Sequence, residues 1–425
     1  MGLKLMFSMS NSARTLSVSL RIAIVQLNPQ IGQVKQNIER AWELVHRLRE
    51  SISKDKAPDL VLFPEFALTG YNFHSREHIL PYTSVRNEGP SINLAKEVSR
   101  LFKCYTVIGY PERDDQDVEP VLYNSAAVTD PTGQQVFNYR KSFLYYTDDD
   151  WGCQENPLGF QSFPLHFKNR ARNVSEDSSE LEDVTLRTGF GICMDLSPYK
   201  FEAPFYDFEF ATYNIDQRNE LIICPMAWLH SASVTKNSEP ATAASAKLEA
   251  IQEAIKKEGI PACGSQGNYQ FNLNNSDVTP RIGRESVSSE SEYNELDKPD
   301  MSNVNYWILR FMPFLALKQR SSWLARSLEP LVADKGKRKS YMGASLTSQW
   351  EFRNRNAIVL MGNRCGIEDA NTVFAGSSGI YKFNGKFADV ETDIDSLNKS
   401  VELLGNLGKG LEGVLLRDVT FEVTR

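Results

Sequence analysis

The chain has few of the residues that settle a chemistry on sight. It holds five histidines in 425 residues, and none adjoins Glu65, Lys141 or Cys193, so imidazole is not the natural base here. Its six cysteines (Cys104, Cys153, Cys193, Cys224, Cys263, Cys365) include no C-x-x-C pair and are widely scattered, which excludes a disulfide framework and leaves reduced thiols in a reducing compartment. No excess of positive charge is present. Lys and Arg total 47 against 54 Asp and Glu, for a net charge of -7, and this excludes nucleic acid as an expected partner. The most apolar later run, Tyr306 to Leu317, contains Arg310 and Pro313 and is too short to cross a bilayer, so no membrane segment is expected. No charged start leads into an apolar core and a cleavage site, so Asn173-Val-Ser, Asn274-Asn-Ser and Asn398-Lys-Ser lack a secretory context.

What is present reads as a soluble α/β protein. Leu20 to Leu27 forms an apolar strand, Val34 to Ile52 carries apolar residues at helical spacing, and Leu60 to Phe63 is a second apolar strand, a βαβ unit with a parallel pair. Ser91 caps a helix to Lys103, followed by a strand from Tyr105 to Gly109. Tyr123 to Val128 and Gln135 to Tyr139 flank the turn Asp130-Pro-Thr-Gly133 as a hairpin that delivers Arg140-Lys141 at its exit. Asn169 to Asp183 is a polar surface excursion, Ala244 to Lys257 a polar helix, Tyr306 to Leu317 an apolar helix, and Ile380 to Gly385 a hairpin edge. The first residues, with Lys4, Arg14, Arg21, several serines and no acid, weakly resemble a mitochondrial presequence. No internal repeat or clean domain boundary is evident.

Arg187 to Tyr199 is the stretch around which the rest is organised. Phe190, Ile192 and Met194 alternate with Gly189 and Gly191 and run into Asp195 and Ser197-Pro198, the pattern of a buried strand that stops abruptly with a cysteine at its mouth. Cys193 is either a nucleophile at a strand end, where open α/β sheets place their chemistry, or a small buried apolar residue. Two other apolar strands end alike, at Pro64-Glu65 and at Pro225-Met-Ala-Trp228.

Phe63-Pro64-Glu65, Tyr139-Arg140-Lys141 and Gly191-Ile192-Cys193-Met194-Asp195, in that order, resemble the Glu-Lys-Cys triad of the nitrilase (carbon-nitrogen hydrolase) superfamily. Flanking segments follow in family order: Leu68-Thr-Gly-Tyr71, Tyr123-Asn-Ser-Ala126, Cys224-Pro-Met-Ala-Trp228 and Asn363-Arg-Cys-Gly366. Within the superfamily, Cys193 to Tyr199 and the closing Leu404-Gly-Asn-Leu-Gly-Lys-Gly410 resemble the branch acting on N-terminal asparagine and glutamine of proteins. The fold this implies is a four-layer αββα sandwich. It would be a single domain over residues 20–425 with insertions at about 231–302 and 318–350, preceded by an extension over 1–19 that is a possible targeting segment.

The resemblance implies hydrolysis of a linear amide with no cofactor and no metal. Cys193 would add to the carbonyl, Glu65 would act as base and then acid, and Lys141 with the Met194 backbone N–H would meet the oxyanion. A thiol with an ordinary pKa of about 8.5 needs such a base and a positive neighbour. Glu155 stands near where the family carries a second glutamate that positions the lysine. Tyr71, Trp228 and Asp195 are assigned to substrate binding. On a continuing strand Asp195 shares the face of Cys193 and is placed to receive the substrate's α-ammonium; if the strand has turned, it serves the local turn instead. The expected partners are protein or peptide N-termini bearing Asn or Gln, converted to Asp or Glu. The pathway implied is protein degradation that reads the N-terminal residue (the N-degron pathway), in association with other proteins of that pathway, in the cytoplasm and, through the extension, in mitochondria. A small-molecule amidase or N-carbamoyl amino acid hydrolase is the rival, and a non-catalytic binding protein is disfavoured because all three triad positions hold working residues. His74-Ser-Arg-Glu-His78 fits a zinc pattern in a segment broken by Gly70 and Pro81, and Gly408 to Gly413 fits G-x-G-x-x-G but leads into a strand; neither metal nor nucleotide is expected.

Overall fold

A computed structural model of the chain describes residues 14–175, 180–234, 241–258, 269–283, 293–318 and 352–425. The expected insertion at 318–350 and residues 1–13 of the extension lie outside the described residues, apart from Lys318.

β1 (Thr15–Gln26) is the strand on which the sheet branches. Along one edge it pairs antiparallel with the last strand, β16 (Gly413–Thr424), from Thr15↔Thr424 to Gln26↔Gly413. Along the other it takes β2 (Leu60–Leu62) in parallel at Ile22–Ile24 and β7 (Gln161–Asn173) antiparallel at Leu16–Val18. The residues of β1 then divide between two interiors. Leu20, Ile22 and Ile24 join Leu60 and Leu62 in a core shared with the far half of the sheet, whereas Ala23 and Val25 join Val61 and Phe63 under the helices α1 (Val34–Ser51) and α3 (Pro90–Phe102). Side chains alternate across a strand, so this partition means that one face of β1 meets sheet and the other meets helix. Helix α1 presents Ala41, Leu44, Val45 and Leu48 to that face, the spacing of one helical stripe.

Between α1 and the hairpin lie the short α2 (Arg76–Ile79) and β3 (Ser84–Val85). β4 (Tyr105–Asp114), β5 (Val121–Thr129) and β6 (Gln135–Arg140) extend the first half outward, with Gly133 at φ +82° closing the β5–β6 turn. After α4 (Tyr146–Asp150), β7 and β8 (Glu182–Phe190) form a long antiparallel pair, so Asn169–Asn173 and Glu182–Asp183 of the expected excursion are strand. The second half continues through α5 (Glu209–Asp216), β9 (Leu221–Met226), α6 (Ala241–Glu258), β10 (Gln270–Asn272) and α7 (Met301–Arg310). It ends with β11 (Asn356–Asn363), the paired β12 (Cys365–Glu368) and β13 (Thr372–Ala375), then β14 (Gly379–Asn384) and β15 (Val401–Asn406). The sheet order β15-β14-β11-β9-β8-β7-β1-β2-β4-β5-β6 gives a mixed α/β fold in which the strand ends bearing Glu65 and Cys193 come from opposite halves.

Several expected boundaries move. The first strand begins at Thr15, inside the segment expected to be an extension. The helix before β4 is capped by Gly89 at φ +94° with Pro90 in its first turn, not by Ser91. β14 is interior, between β11 and β15. The apolar helix stops at Arg310 because Pro313 lies in a separate 3₁₀ turn, Met312–Phe314. The expected insertion at 231–302 contributes β10, which pairs in parallel with β16, so it is stitched into the sheet.

Candidate active site

Cys193 stands where β8 has ended. Phe190 is the last strand residue, and Cys193–Leu196 form one 3₁₀ turn with Cys193 at φ +43°. Left-handed backbone at a residue with a Cβ costs roughly 1–2 kcal/mol, so the surroundings must hold it. Asp195 does this. Its Oδ2 accepts from Ile192 N (2.8 Å) and the Tyr139 hydroxyl (2.8 Å), and its Oδ1 from Ser142 N (3.0 Å) and Phe143 N (2.7 Å). The carboxyl is fully buried and all its donors are protein groups, so Asp195 does not receive a substrate ammonium. The same-face argument for residues i and i+2 needs a strand, and a 3₁₀ turn advances about 120° per residue, which turns Asp195 away from the cysteine. It ties the cysteine turn to the segment that follows Lys141. Gly189 and Gly191 make room for α5: a Cβ there would meet Asn214 and Phe210 of that helix.

Glu65 and Lys141 arrive from the first half. Glu65 follows β2, where Gly109 of β4 leaves room for the chain: a Cβ on Gly109 would lie 2.5 Å from Glu65 Cα and 2.7 Å from Pro64 O. Lys141 follows β6, anchored by its N–H to Asn124 O (2.7 Å). Its Nζ sits between Glu65 Oε1 (2.8 Å) and Asp148 Oδ2 (2.7 Å), all three side chains buried. Asn124 Nδ2 donates to both carboxylates, at 2.6 Å to Glu65 and 3.0 Å to Asp148. The second acid on the lysine is therefore Asp148, not Glu155. The Glu155 side chain is exposed and accepts from the Tyr199 hydroxyl (2.8 Å), although its neighbour Asn156 donates to Lys141 O (2.9 Å). The signal for Asp148 was the acidic run Asp148-Asp149-Asp150 soon after Lys141. Its first member closes the first turn of α4 by accepting from Tyr145 N (2.9 Å), and this fixes the carboxylate toward the lysine.

The electrostatics follow from burial. Desolvation works against the Lys141 ammonium, but Asp148 and Glu65 overcome it and hold its pKa well above the usual lysine value. Burial raises the Glu65 carboxyl, with Lys141 opposing. Burial also raises the Cys193 thiol, reinforced by Glu65, while Lys141 acts to lower it, as expected of a positive neighbour. Glu65 uses Oε1 to hold Lys141 and Asn124, while its buried Oε2 has no hydrogen-bond partner among the described residues.

Cys193 opens on a cavity of about 170 Å³ lined by Tyr71, Tyr145, Met194, Phe201 and Trp228. Tyr71 and Trp228 thus stand where a bound side chain would meet them. Tyr71 is set by Glu368, whose Oε2 accepts from Tyr71 N (3.1 Å) and Asn72 N (3.0 Å) and pairs with buried Arg364 (3.1 Å). Met194 lies in the first turn of the 3₁₀ segment, whose leading N–H groups have no partner within the turn. The other two motifs fall elsewhere. His74 Nε2 meets Asp369 (2.9 Å) and His78 Nδ1 accepts from His74 N (3.3 Å), with no cluster of three metal-ligating side chains among the described residues. The Gly408–Gly413 segment runs straight into β16.

Residues 21–196 match the carbon-nitrogen hydrolase family. The chain is 50% identical over 453 residues to a protein N-terminal amidase of Saccharomyces cerevisiae, covering 96% of this chain and 97% of the relative. It is 33% identical over 225 residues to one of Schizosaccharomyces pombe, covering 50% of this chain and 71% of the relative. The crystal structure of an N-terminal amidase with an Asn-Glu peptide superposes with a TM-score of 0.86 at 49% identity, covering 97% of this chain and 100% of the other. The structure with a Gln-Val peptide also gives 0.86, at 50% identity over 97% of this chain and 100% of the other. With Glu65, Lys141 and Cys193 brought together from opposite halves of one sheet, and with these likenesses spanning nearly its whole length, the chain belongs to the protein N-terminal amidases of the carbon-nitrogen hydrolase family.

Proposed function

We propose that the protein deamidates N-terminal Asn and Gln of proteins and peptides, with Cys193 as nucleophile. The observation that carries this reading is the division of Glu65, whose charge acts on Cys193: one oxygen is committed to Lys141 and Asn124, and the other is buried with no hydrogen-bond partner among the described residues. As the sulfur adds to the side-chain amide carbonyl, its proton passes to Glu65, and the oxyanion is held by the Lys141 ammonium and the Met194 N–H. Glu65 returns the proton to the departing nitrogen, ammonia leaves, and a thioester remains on Cys193. Water, deprotonated by Glu65, then adds to the thioester, and its collapse releases Asp or Glu and restores the thiol. One oxyanion donor typically lowers the barrier by about 3–4 kcal/mol, so Lys141 must stay charged, which Asp148 favours. The relatives named as N-terminal amidases, and the solved complexes with Asn- and Gln-initiated peptides, support this substrate class over free amides. The products would feed degradation that reads the N-terminal residue, alongside other proteins of that pathway in the cytoplasm or mitochondria.

The test compares ammonia release from an Asn-initiated peptide with that from free glutamine and from N-carbamoyl amino acids. Turnover of the peptide, and loss of that turnover in Cys193→Ser, is expected. Preference for the free compounds would move the protein to a small-molecule amidase role, and full activity in Cys193→Ser would remove the nucleophile.

A further inference from the structure

Trp228 is a wall of the cavity, yet none of the elements that carry Glu65, Lys141 and Cys193 fixes its indole. The backbone of Trp228 is anchored by its N–H to Asn363 Oδ1 (2.7 Å), which leaves the ring free to turn about its side-chain bonds. The rotation is settled by α7. Tyr306 and Trp307 pack on the indole with ring centroids at 5.5 and 6.2 Å, and the indole N–H donates to Asn303 Oδ1 (3.0 Å). Asn303 is itself held: its Nδ2 donates to Asp300 Oδ2 (2.6 Å), which obliges the amide oxygen to face the indole. Asp300 is fully buried, caps α7 by accepting from Ser302 N (3.0 Å) and Asn303 N (3.2 Å), and lies 3.4 Å from Nε2 of buried His230. His230 follows Trp228 by two residues, so the chain of contacts from Trp228 through Asn303 and Asp300 returns to its own strand end.

We propose that Asn303 is a positioning residue for substrate binding: by fixing the rotation of the Trp228 indole it sets the shape of the cavity that receives the substrate's N-terminal residue. The proposal rests on the deamidation reading above for its kinetic consequence. Asn303 touches none of the reacting groups, so its loss is felt in binding and not in the chemical step. It also gives a purpose to α7, which lies beyond the residues that match the family and begins within the last residues of the segment expected to be an insertion.

The experiment measures kcat and KM on an Asn-initiated peptide for the parent, Asn303→Ala, Asn303→Ser, Trp228→Phe and the Asn303→Ala/Trp228→Phe pair. Serine keeps a donor for Asp300 but is too short to reach the indole, so it separates the two bonds and stands in should alanine fail to fold. Loss of this part-buried hydrogen bond corresponds to about a tenfold rise in KM for both Asn303 variants, with kcat within about twofold. In the Trp228→Phe background, which has no indole N–H, Asn303→Ala should change KM by less than about twofold, because the two residues act as one unit. Independently of turnover, the Trp228 indole N–H resonance, assigned by its absence in Trp228→Phe, should be protected from hydrogen exchange in the parent and lose protection in both Asn303 variants. The proposal is overturned by an unchanged KM, by effects that multiply in the pair, or by unchanged indole protection. A parent that releases no ammonia would overturn the deamidation reading alone, since the indole measurement still decides the role of Asn303.

Discussion

The Lys141 ammonium lies between two buried carboxylates that do different things. Glu65 exchanges protons, and Asp148 supplies the countercharge that keeps the lysine positive when Glu65 is protonated. Removing one partner of a buried pair typically costs about 3–5 kcal/mol. Asp148→Asn is therefore expected to lower kcat at least a hundredfold in an ammonia-release assay, whereas Glu155→Gln, at an exposed residue paired with Tyr199, should stay within about twofold; the reverse ranking would return the role to Glu155. A second expectation concerns breadth. Asn and Gln differ by one methylene, worth only about 1–3 kcal/mol in an apolar cavity, so kcat/KM for peptides initiated by either should differ by no more than about 200-fold. An enzyme that turns over one and ignores the other would need a contact to the amide that Tyr71 and Trp228 do not supply.

At the scale of the element, the cysteine turn depends on Asp195, whose carboxyl burial pushes up to about 7 against the hydrogen bonds it accepts. The sign follows from linkage. Below about pH 4 folded and unfolded chains both hold this proton; as pH rises toward 7 the unfolded chain loses it while the folded chain keeps it, so this group's stabilising contribution is present at low pH and is lost across that window. Urea unfolding should show the parent losing stability relative to Asp195→Asn between pH 4 and 7, by at most about 4 kcal/mol, and no further change above. A difference that grows in the parent's favour over the same range would show the carboxylate to be the form the fold prefers. The strand that seats Glu65 offers a different test. Gly109→Ala places a Cβ against Glu65 Cα, and the resulting shift should cost about 1–3 kcal/mol of stability and more than tenfold in kcat. Normal kcat with only lowered stability would mean that β4 does not position the base.

For the whole molecule, the sequence alone was enough for the groups whose placement is local. Glu65 and Cys193 follow apolar strands within three residues and Lys141 stands at the exit of a hairpin, and a strand end in an α/β sheet is fixed by the few residues before it, so their position at one edge could be read from the chain. Continuous apolar runs likewise disclosed β2 and β9, which are buried along their whole length, and helical spacing disclosed the α1 stripe, because burial on one face of a helix leaves its period in the residues. What depended on direction in space could not be read that way. Whether Glu155 or Asp148 reaches Lys141 is decided by the turn of α4, and both acids stand at plausible spacings. Whether Asp195 shares the face of Cys193 is decided by where β8 stops, and one 3₁₀ turn reverses the answer. The bond from Trp228 to Asn303 spans 75 residues and exists only because α7 packs over the end of β9, a contact with no local trace in either segment. Chemistry carried by strand ends is written in short-range pattern; the carboxylate that steadies the lysine and the helix that holds the tryptophan are settled by packing alone.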